Sequence, residues 1–494
     1  MGRAAGERMD PILTVPDLDE AVRFSEDLGS GSRTSHPPLR GARRTPPTTA
    51  RSSGIGAGRA AGETMAAAAT RADQEPPVRI RLLRPETRNS ARSVWLYFGL
   101  IHLGFLARLL PFILGGGVLS DILFYREWAY LALDEGIWQG IDTAWVYPVG
   151  ALVPMVAATV FGPSLYQLAW FLLFAGLNAL GTAALLRRGA ASSATAAYWW
   201  LTATALLGPV AVGRIDGLTA PVVITALLLV AARPFLASLL LSAATWMKVW
   251  PAAVVLAALV VVRHGRLRIL GAGLVLTAGI AVAVAAFGDV RNLTGFLSAQ
   301  GARGMQLEAP LSTPGVWQAI TGTSGAYIYE DEVINTMEVR GASSGLVGDF
   351  MTPLLVVTVV LVAAFLAIAR YRGARADALL ATGSLALVST LVVFNKVGSP
   401  QFMLWIAAVI AAGLVLDRAA EWRYPAIAML GCAALTTLVY PVFYNALRYE
   451  LNPAVAVLLT LRNLLVVSIL VWSLVRLGRL TARARTHAAA ATGA

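Results

Sequence analysis

Apolar runs of roughly 20 residues recur from about residue 93 almost to the C-terminus, each long enough to cross a ~30 Å hydrocarbon core as a helix. In lipid a backbone has to satisfy its own polar groups, so such a chain is confined to a bundle of spanning helices or a closed barrel. No stretch shows the alternating ten-residue pattern of a barrel. Composition agrees with the helical choice. Only 14% of the 494 residues are charged and 57% are hydrophobic, against about 25% charged in soluble domains. The expected fold is an all-α polytopic membrane protein with about twelve transmembrane helices and interfacial helices in its outer loops.

The charges then set the topology. The formal net charge is +12, but the arginines gather in the N-terminal tail and in short loops between apolar runs, as the positive-inside rule requires of cytoplasmic segments. No basic module interleaved with aromatics is present, so nucleic acid is not an expected partner. Residues 1–90 read as a disordered, basic cytoplasmic tail, with six arginines and no acid between Leu28 and Gly62. The tail lacks the apolar core of a secretory signal, and Met65 opens a more ordinary start. Residues 91–480 form the transmembrane domain, and 481–494 a second cytoplasmic tail. Arg84, Arg88 and Arg92 precede the first span and place the loops at about 115–147 and 288–350 outside, in a multi-pass plasma-membrane protein with both termini cytoplasmic. The run over 148–186 breaks at the Phe-Gly-Pro-Ser of 161–164 and reads as one crossing plus a partial dip. Short spans near 235–247 and 250–262 form a hairpin.

Polar residues at the span ends are the candidates for chemistry. Asp121 follows the first span in "SDILFYREW", and an acid at this depth is a functional hypothesis by default; an N-cap for the amphipathic segment Ile122, Tyr125, Ala129, Ala132 is the structural alternative. In "GRIDG", Arg214 and Asp216 suit a local salt bridge. Only two of the 40 basic residues are lysines, Lys248 in "TWMKVWP" and Lys396 in "FNKVGSPQFMLW". Either can snorkel at the interface or hold a lipid-linked phosphate. Trp145 and Tyr147 suit an interfacial belt, and Tyr147-Pro148 sets an extended approach to the next helix. Glu330, Asp331 and Glu332 make a weak cation cluster, and the four histidines offer no metal-ligand spacing. His102 is expected to hydrogen-bond between helices. The lone Cys432 excludes an intrachain disulfide.

Together, "SDILFYREWAYLALDEG", "WVYPVGAL", "MKVWP" and "SPQFMLW" resemble the integral-membrane GT-C glycosyltransferases that use polyprenyl-phosphate sugars. The likeness is to family 87 mannosyl- and arabinosyltransferases and to the proteins related to GPI mannosyltransferases. It departs from their pattern at Val149, where a second proline is common, and at Phe402, where tyrosine is usual. The resemblance implies a GT-C transmembrane domain and an inverting transfer on the outer face, with Asp121 as general base. The donor would be a polyprenyl-phosphate sugar, mannose first and arabinofuranose as the alternative, and the acceptor a glycolipid or cell-envelope glycan. One carboxylate suffices, because the leaving phosphate needs no protonation, unlike the leaving group of a glycosidase. Lys248, Lys396, Arg214, Arg303 or Arg340 would hold the donor phosphate, with Gln401, Asp216 and Tyr147 also in the site. No metal or other cofactor is required. The rival readings are a lipid or solute transporter, which calls for internal repeats and midplane charges, and a non-catalytic membrane scaffold.

Overall fold

The computed structural model describes residues 90–187, 191–297, 304–331, 336–341, 344–417 and 420–492. The chain is an α-helical membrane protein. Among the described residues, seven helices are long and apolar enough to cross a membrane: Ala91–Leu114, Pro163–Leu186, Arg266–Phe287, Phe350–Tyr371, Ala376–Val393, Arg423–Val442 and Pro453–Ala484. Five shorter apolar segments lie between them, Val149–Phe161, Asp216–Leu229, Pro234–Met247, Pro251–Val261 and Phe402–Leu416. Val149–Phe161 corresponds to the partial dip expected before the Pro163–Leu186 segment, and Pro234–Met247 with Pro251–Val261 to the expected hairpin. Proline opens two of them, at Pro234 and Pro251, where a missing N–H costs nothing. Their ends give way to the loops that carry the polar residues.

In chain order, α1 (Ala91–Leu114) leads through a loop to the amphipathic α2 (Ile122–Asp134). The short α3 (Leu152–Ala157) precedes the long α4 (Tyr166–Leu186), so the 148–186 stretch is one short and one long helical piece. Next come α5 (Ala191–Leu207), the single turn α6 (Pro209–Val212), α7 (Asp216–Leu229) and the hairpin α8 (Pro234–Met247) and α9 (Pro251–Val261). After α10 (Arg266–Phe287) and the small α11 (Thr313–Ile320), two strands interrupt the helical order, β1 (Tyr327–Asp331) and β2 (Thr336–Arg340). The remaining helices are α12 (Ser344–Tyr371), α13 (Ala376–Val393), α14 (Phe402–Leu416), α15 (Arg423–Thr437), α16 (Tyr444–Arg448) and α17 (Pro453–Thr492). The last helix passes the boundary at 481 set by the sequence; after Gly478 it meets no glycine or proline, only alanine, arginine and other residues a helix tolerates.

Burial separates a centre from a rim. The α13 span is 83% buried, whereas the α1 span is 11% buried and presents Leu96, Leu100 and Leu103 outward. A helix apolar all round is either central or lipid-facing. α13 carries Ala, Gly and Ser and α14 four alanines and Gly413, which lets neighbours approach closely. At Gly413 of α14 the Trp422 ring fills the space a Cβ would need. His102 bonds between helices as expected: Asn178 joins its Nε2 at 3.1 Å and accepts from Trp200 Nε1 at 2.5 Å, so three helices share one buried polar knot. Cys432 is free and buried.

The strands correct the all-α expectation for the long loop. β1 and β2 pair antiparallel, with Tyr327 opposite Arg340 and Asp331 opposite Thr336. The other edge of β2 is also covered: Leu307 N donates to Met337 O at 2.9 Å and Val339 N to Met305 O at 2.8 Å. Residues 305–307 thus hang between the hairpin and the Lys396 loop, since Gln306 N donates to Lys396 O at 2.9 Å.

Candidate active site

Three loops at helix ends converge, and glycines permit the approach. A Cβ at Gly217 would run into the Ala211 carbonyl, and one at Gly213 would lie 3.5 Å from Ser120 Cβ. At Gly150 a Cβ would lie 2.7 Å from the Trp246 carbonyl oxygen, and at Gly398 it would enter the Ala309 backbone. Side chains at Gly150, Gly217 and Gly398 would clash with the backbone at Trp246, Ala211 and Ala309. Ser120 sits in the left-handed region, φ +56°, which costs an L-residue about 1–2 kcal/mol. That turn delivers Asp121 to the convergence.

Asp121 does not cap α2. Its own backbone is helical (φ −59°, ψ −13°) and its side chain makes no capping hydrogen bond, whereas a capping residue needs a non-helical backbone. Its carboxylate instead pairs with the Arg214 guanidinium, the carboxylate side chain 23% exposed and the guanidinium side chain 12%. Arg214 Nη2 also donates to the Tyr440 hydroxyl at 3.0 Å. The local Arg214–Asp216 bridge expected from "GRIDG" gives way to separate partners. Residues two apart at a helix start point in different directions. Asp216, buried at 1% exposure, accepts from Trp405 Nε1 at 2.6 Å, and its other oxygen is 3.8 Å from Lys248 Nζ with no hydrogen bond.

Lys248 Nζ also lies 4.3 Å from the centroid of the Tyr147 ring, a cation–π contact. Tyr125 joins the two halves: its hydroxyl accepts from Ile215 N at 3.4 Å and meets the Tyr147 hydroxyl at 3.5 Å. Burial, with Tyr147 beside it, raises the Tyr125 phenol well above its ordinary range, so it stays protonated. Asp121, Tyr147, Arg214, Asp216 and Lys248 therefore form one network of two carboxylates, two cations and aromatic walls, partly exposed at both Asp121 and Lys248.

Lys396 and Gln401 occupy the neighbouring loop. Gly398 N donates to Gln306 Oε1 at 3.1 Å, and Gln401 accepts from Ser399 Oγ at 2.7 Å. Beside them is a polar pair that sequence reading passed over. Glu308 and Arg462 face each other at 3.2 Å, 4% and 2% exposed, and Arg462 Nη2 donates to the Glu308 carbonyl at 2.7 Å. Burial raises the Glu308 carboxyl above its ordinary value, against the pull of Arg462 and Arg214. Tyr440 was missed as well. Arg462 had a signal, an ionisable residue inside the apolar run "LLTLRNLLVV"; Tyr440 and Glu308 had none.

The remaining candidates lie elsewhere. Arg340 is exposed on β2, 3.5 Å from the Tyr327 hydroxyl, and Glu330 is exposed on β1. Arg303 and Glu332 lie outside the described residues. No group of three or more metal-ligating side chains occurs among the described residues.

Neither curated proteins nor solved structures give a match to this chain. A family model does match, glycosyltransferase family 87, over residues 145–393. That stretch is just over half of the sequence and contains Tyr147, Arg214, Asp216, Lys248 and Glu308. The chain belongs to glycosyltransferase family 87.

Proposed function

We propose that this glycosyltransferase takes its sugar from a polyprenyl phosphate and passes it, with inversion, to a hydroxyl of a glycolipid or cell-envelope glycan. Mannose is the donor sugar we favour, with arabinofuranose as the alternative. The reaction would run at the outer face of the plasma membrane, in a twelve-crossing topology with cytoplasmic termini, as the distribution of arginines requires.

The observation that carries the reading is the partly exposed Asp121–Arg214 pair, with Lys248 against Asp216 two residues along from Arg214. A lipid phosphate arriving at this network competes with Asp121 for Arg214, because both are anions offering oxygens to the same guanidinium. Once Arg214 turns to the phosphate, the Asp121 carboxylate is free to accept the proton of the acceptor hydroxyl. The acceptor oxygen then bonds to the anomeric carbon as the bond from that carbon to the phosphate oxygen breaks, and polyprenyl phosphate departs with the electron pair. Arg214 and Lys248 stabilise the charge gathering on the leaving phosphate. Asp216 and Trp405 hold Lys248 in place, Tyr147 packs beneath it, and Lys396 and Gln401 border the sugar from the neighbouring loop. No metal is needed in this scheme.

Purified protein given radiolabelled polyprenyl-phosphate mannose or arabinose and envelope glycolipids tests the reading directly. Transfer from one donor, lost in Asp121→Asn at unchanged expression, is expected. Normal turnover by that variant, or transfer only from a nucleotide sugar, would sink it.

A further inference from the structure

α14 runs fifteen residues from the Gln401 loop to Asp417, about 22 Å at 1.5 Å per residue, and α15 returns toward Tyr440. The 417–422 turn therefore lies at the end of these helices remote from the Asp121–Arg214 pair. A second charged cluster sits there. Arg476 of α17 pairs with both Asp417 and Glu421, and its guanidinium lies 5.5 Å from the Trp472 ring centroid. Arg483 stands 3.9 Å from Glu421. Hydrogen bonding from Arg476 holds the Glu421 carboxyl below its ordinary value, so it is ionised at neutral pH.

Between α15 and α17 opens a cleft of about 570 Å³. Leu464, Val471 and Val475 line it and are 59%, 52% and 47% exposed; within a spanning helix such exposure faces lipid. A 2.8 Å hydrogen bond from Tyr424 to Ser468 crosses its wall. Glu421, Arg476 and Arg479 line its charged end. Arg476 is 8% exposed, and its Nε lies buried without a hydrogen-bond partner although both of its terminal nitrogens are paired. Three arginines here (476, 479 and 483) face two carboxylates, which leaves a surplus of positive charge at the mouth of an apolar groove.

We propose that this cleft binds one anionic glycerophospholipid, its phosphate on Arg479 at the charged end and an acyl chain along Leu464, Val471 and Val475. An apolar groove ending in arginine donors matches an acyl chain ending in a phosphate. By the charge rule this end faces the cytoplasm, where the leaflet is anionic and each nearby arginine adds attraction. The site is separate from the sugar-transfer centre, so the assignment stands whatever the donor proves to be.

The test uses the full chain in phosphatidylcholine nanodiscs titrated with phosphatidylglycerol, read by thermal midpoint and by native mass spectrometry of retained lipid. The wild type should gain stability and retain one phosphatidylglycerol. The Arg479→Ala, Arg483→Ala double variant should bind it about tenfold more weakly, the loss expected from removing charge-assisted contacts. Val471→Trp, which fills the groove without touching a charge, should lose the retained lipid too. Equal retention by wild type and both variants overturns the proposal, as does a wild type that responds equally to phosphatidylcholine or only to polyprenyl phosphate.

Discussion

Two carboxylate–arginine pairs lie close to the Lys396 loop, and they are built differently. Asp121–Arg214 joins two loops 93 residues apart and keeps 23% of its carboxylate side chain exposed. Glu308–Arg462 joins a loop to the middle of a spanning helix, is 4% and 2% exposed, and spends a second guanidinium nitrogen on the Glu308 carbonyl. The first pair can exchange its partner for an incoming anion. The second has no room to, and the cavity beside it is about 10 Å³, the space of a single water. Breaking a buried pair leaves an uncompensated charge, so Glu308–Arg462 serves as a fastening for the loop that carries Lys396 and Gln401.

If the two pairs divide chemistry from architecture, their variants should fail in different ways. Asp121→Asn should lower kcat by about 10²–10⁴-fold, the range for a lost general base, while leaving the melting temperature near that of the wild type. Arg462→Ala should do the reverse, destabilising the chain by about 3–5 kcal/mol, seen as a large drop in thermal midpoint and in recovered protein. A stable Arg462→Ala enzyme with intact turnover would break the comparison. Lys248→Met sharpens it from the exchangeable side: donor KM should rise about tenfold, the scale of one charge-assisted contact, and kcat should fall too, because Lys248 also meets the charge gathering on the leaving phosphate. An unchanged kcat would confine Lys248 to donor binding.

The same contrast explains what the sequence made visible. Asp121, Tyr147, Arg214, Asp216 and Lys248 stand out because each is a polar residue at the edge of an apolar run, and the membrane makes such residues costly. Their partners do not stand out. Nothing local tells Arg214 to face Asp121 rather than Asp216; the close approach at Gly217 and the left-handed turn at Ser120 set it. Glu308 lies in a long loop where an acid reads as solvated surface, and it is buried against Arg462 where residues 305–307 join the β-hairpin. That hairpin was hidden for a related reason. Five-residue strands carry a weak signal in a chain dominated by helical periodicity, and long-range pairing supports them.

A pH series separates buried from exposed carboxylates by sign. The Glu308 carboxyl is raised above 4.5 chiefly by burial, so the folded state holds its proton more tightly than the unfolded chain. Its contribution to stability is full below that ordinary value and is lost as pH rises through the folded one. Glu421, at the remote cluster, is lowered below 4.5 chiefly by hydrogen bonding from Arg476, so its contribution is present above the ordinary value and is lost as pH falls. The stability difference between wild type and Glu308→Gln should therefore move against the wild type as pH rises above about 4.5, with a slope no steeper than about 1.4 kcal/mol per pH unit. The difference between wild type and Glu421→Gln should shrink on acidification below about pH 4.5. It should amount to a few tenths of a kcal/mol, because Glu421 is partly exposed and solvent screens its pair. Thermal midpoints of the three proteins across that pH range decide the matter, and slopes of the same sign for both variants would mean that Glu308 is not the sealed carboxyl its burial makes it.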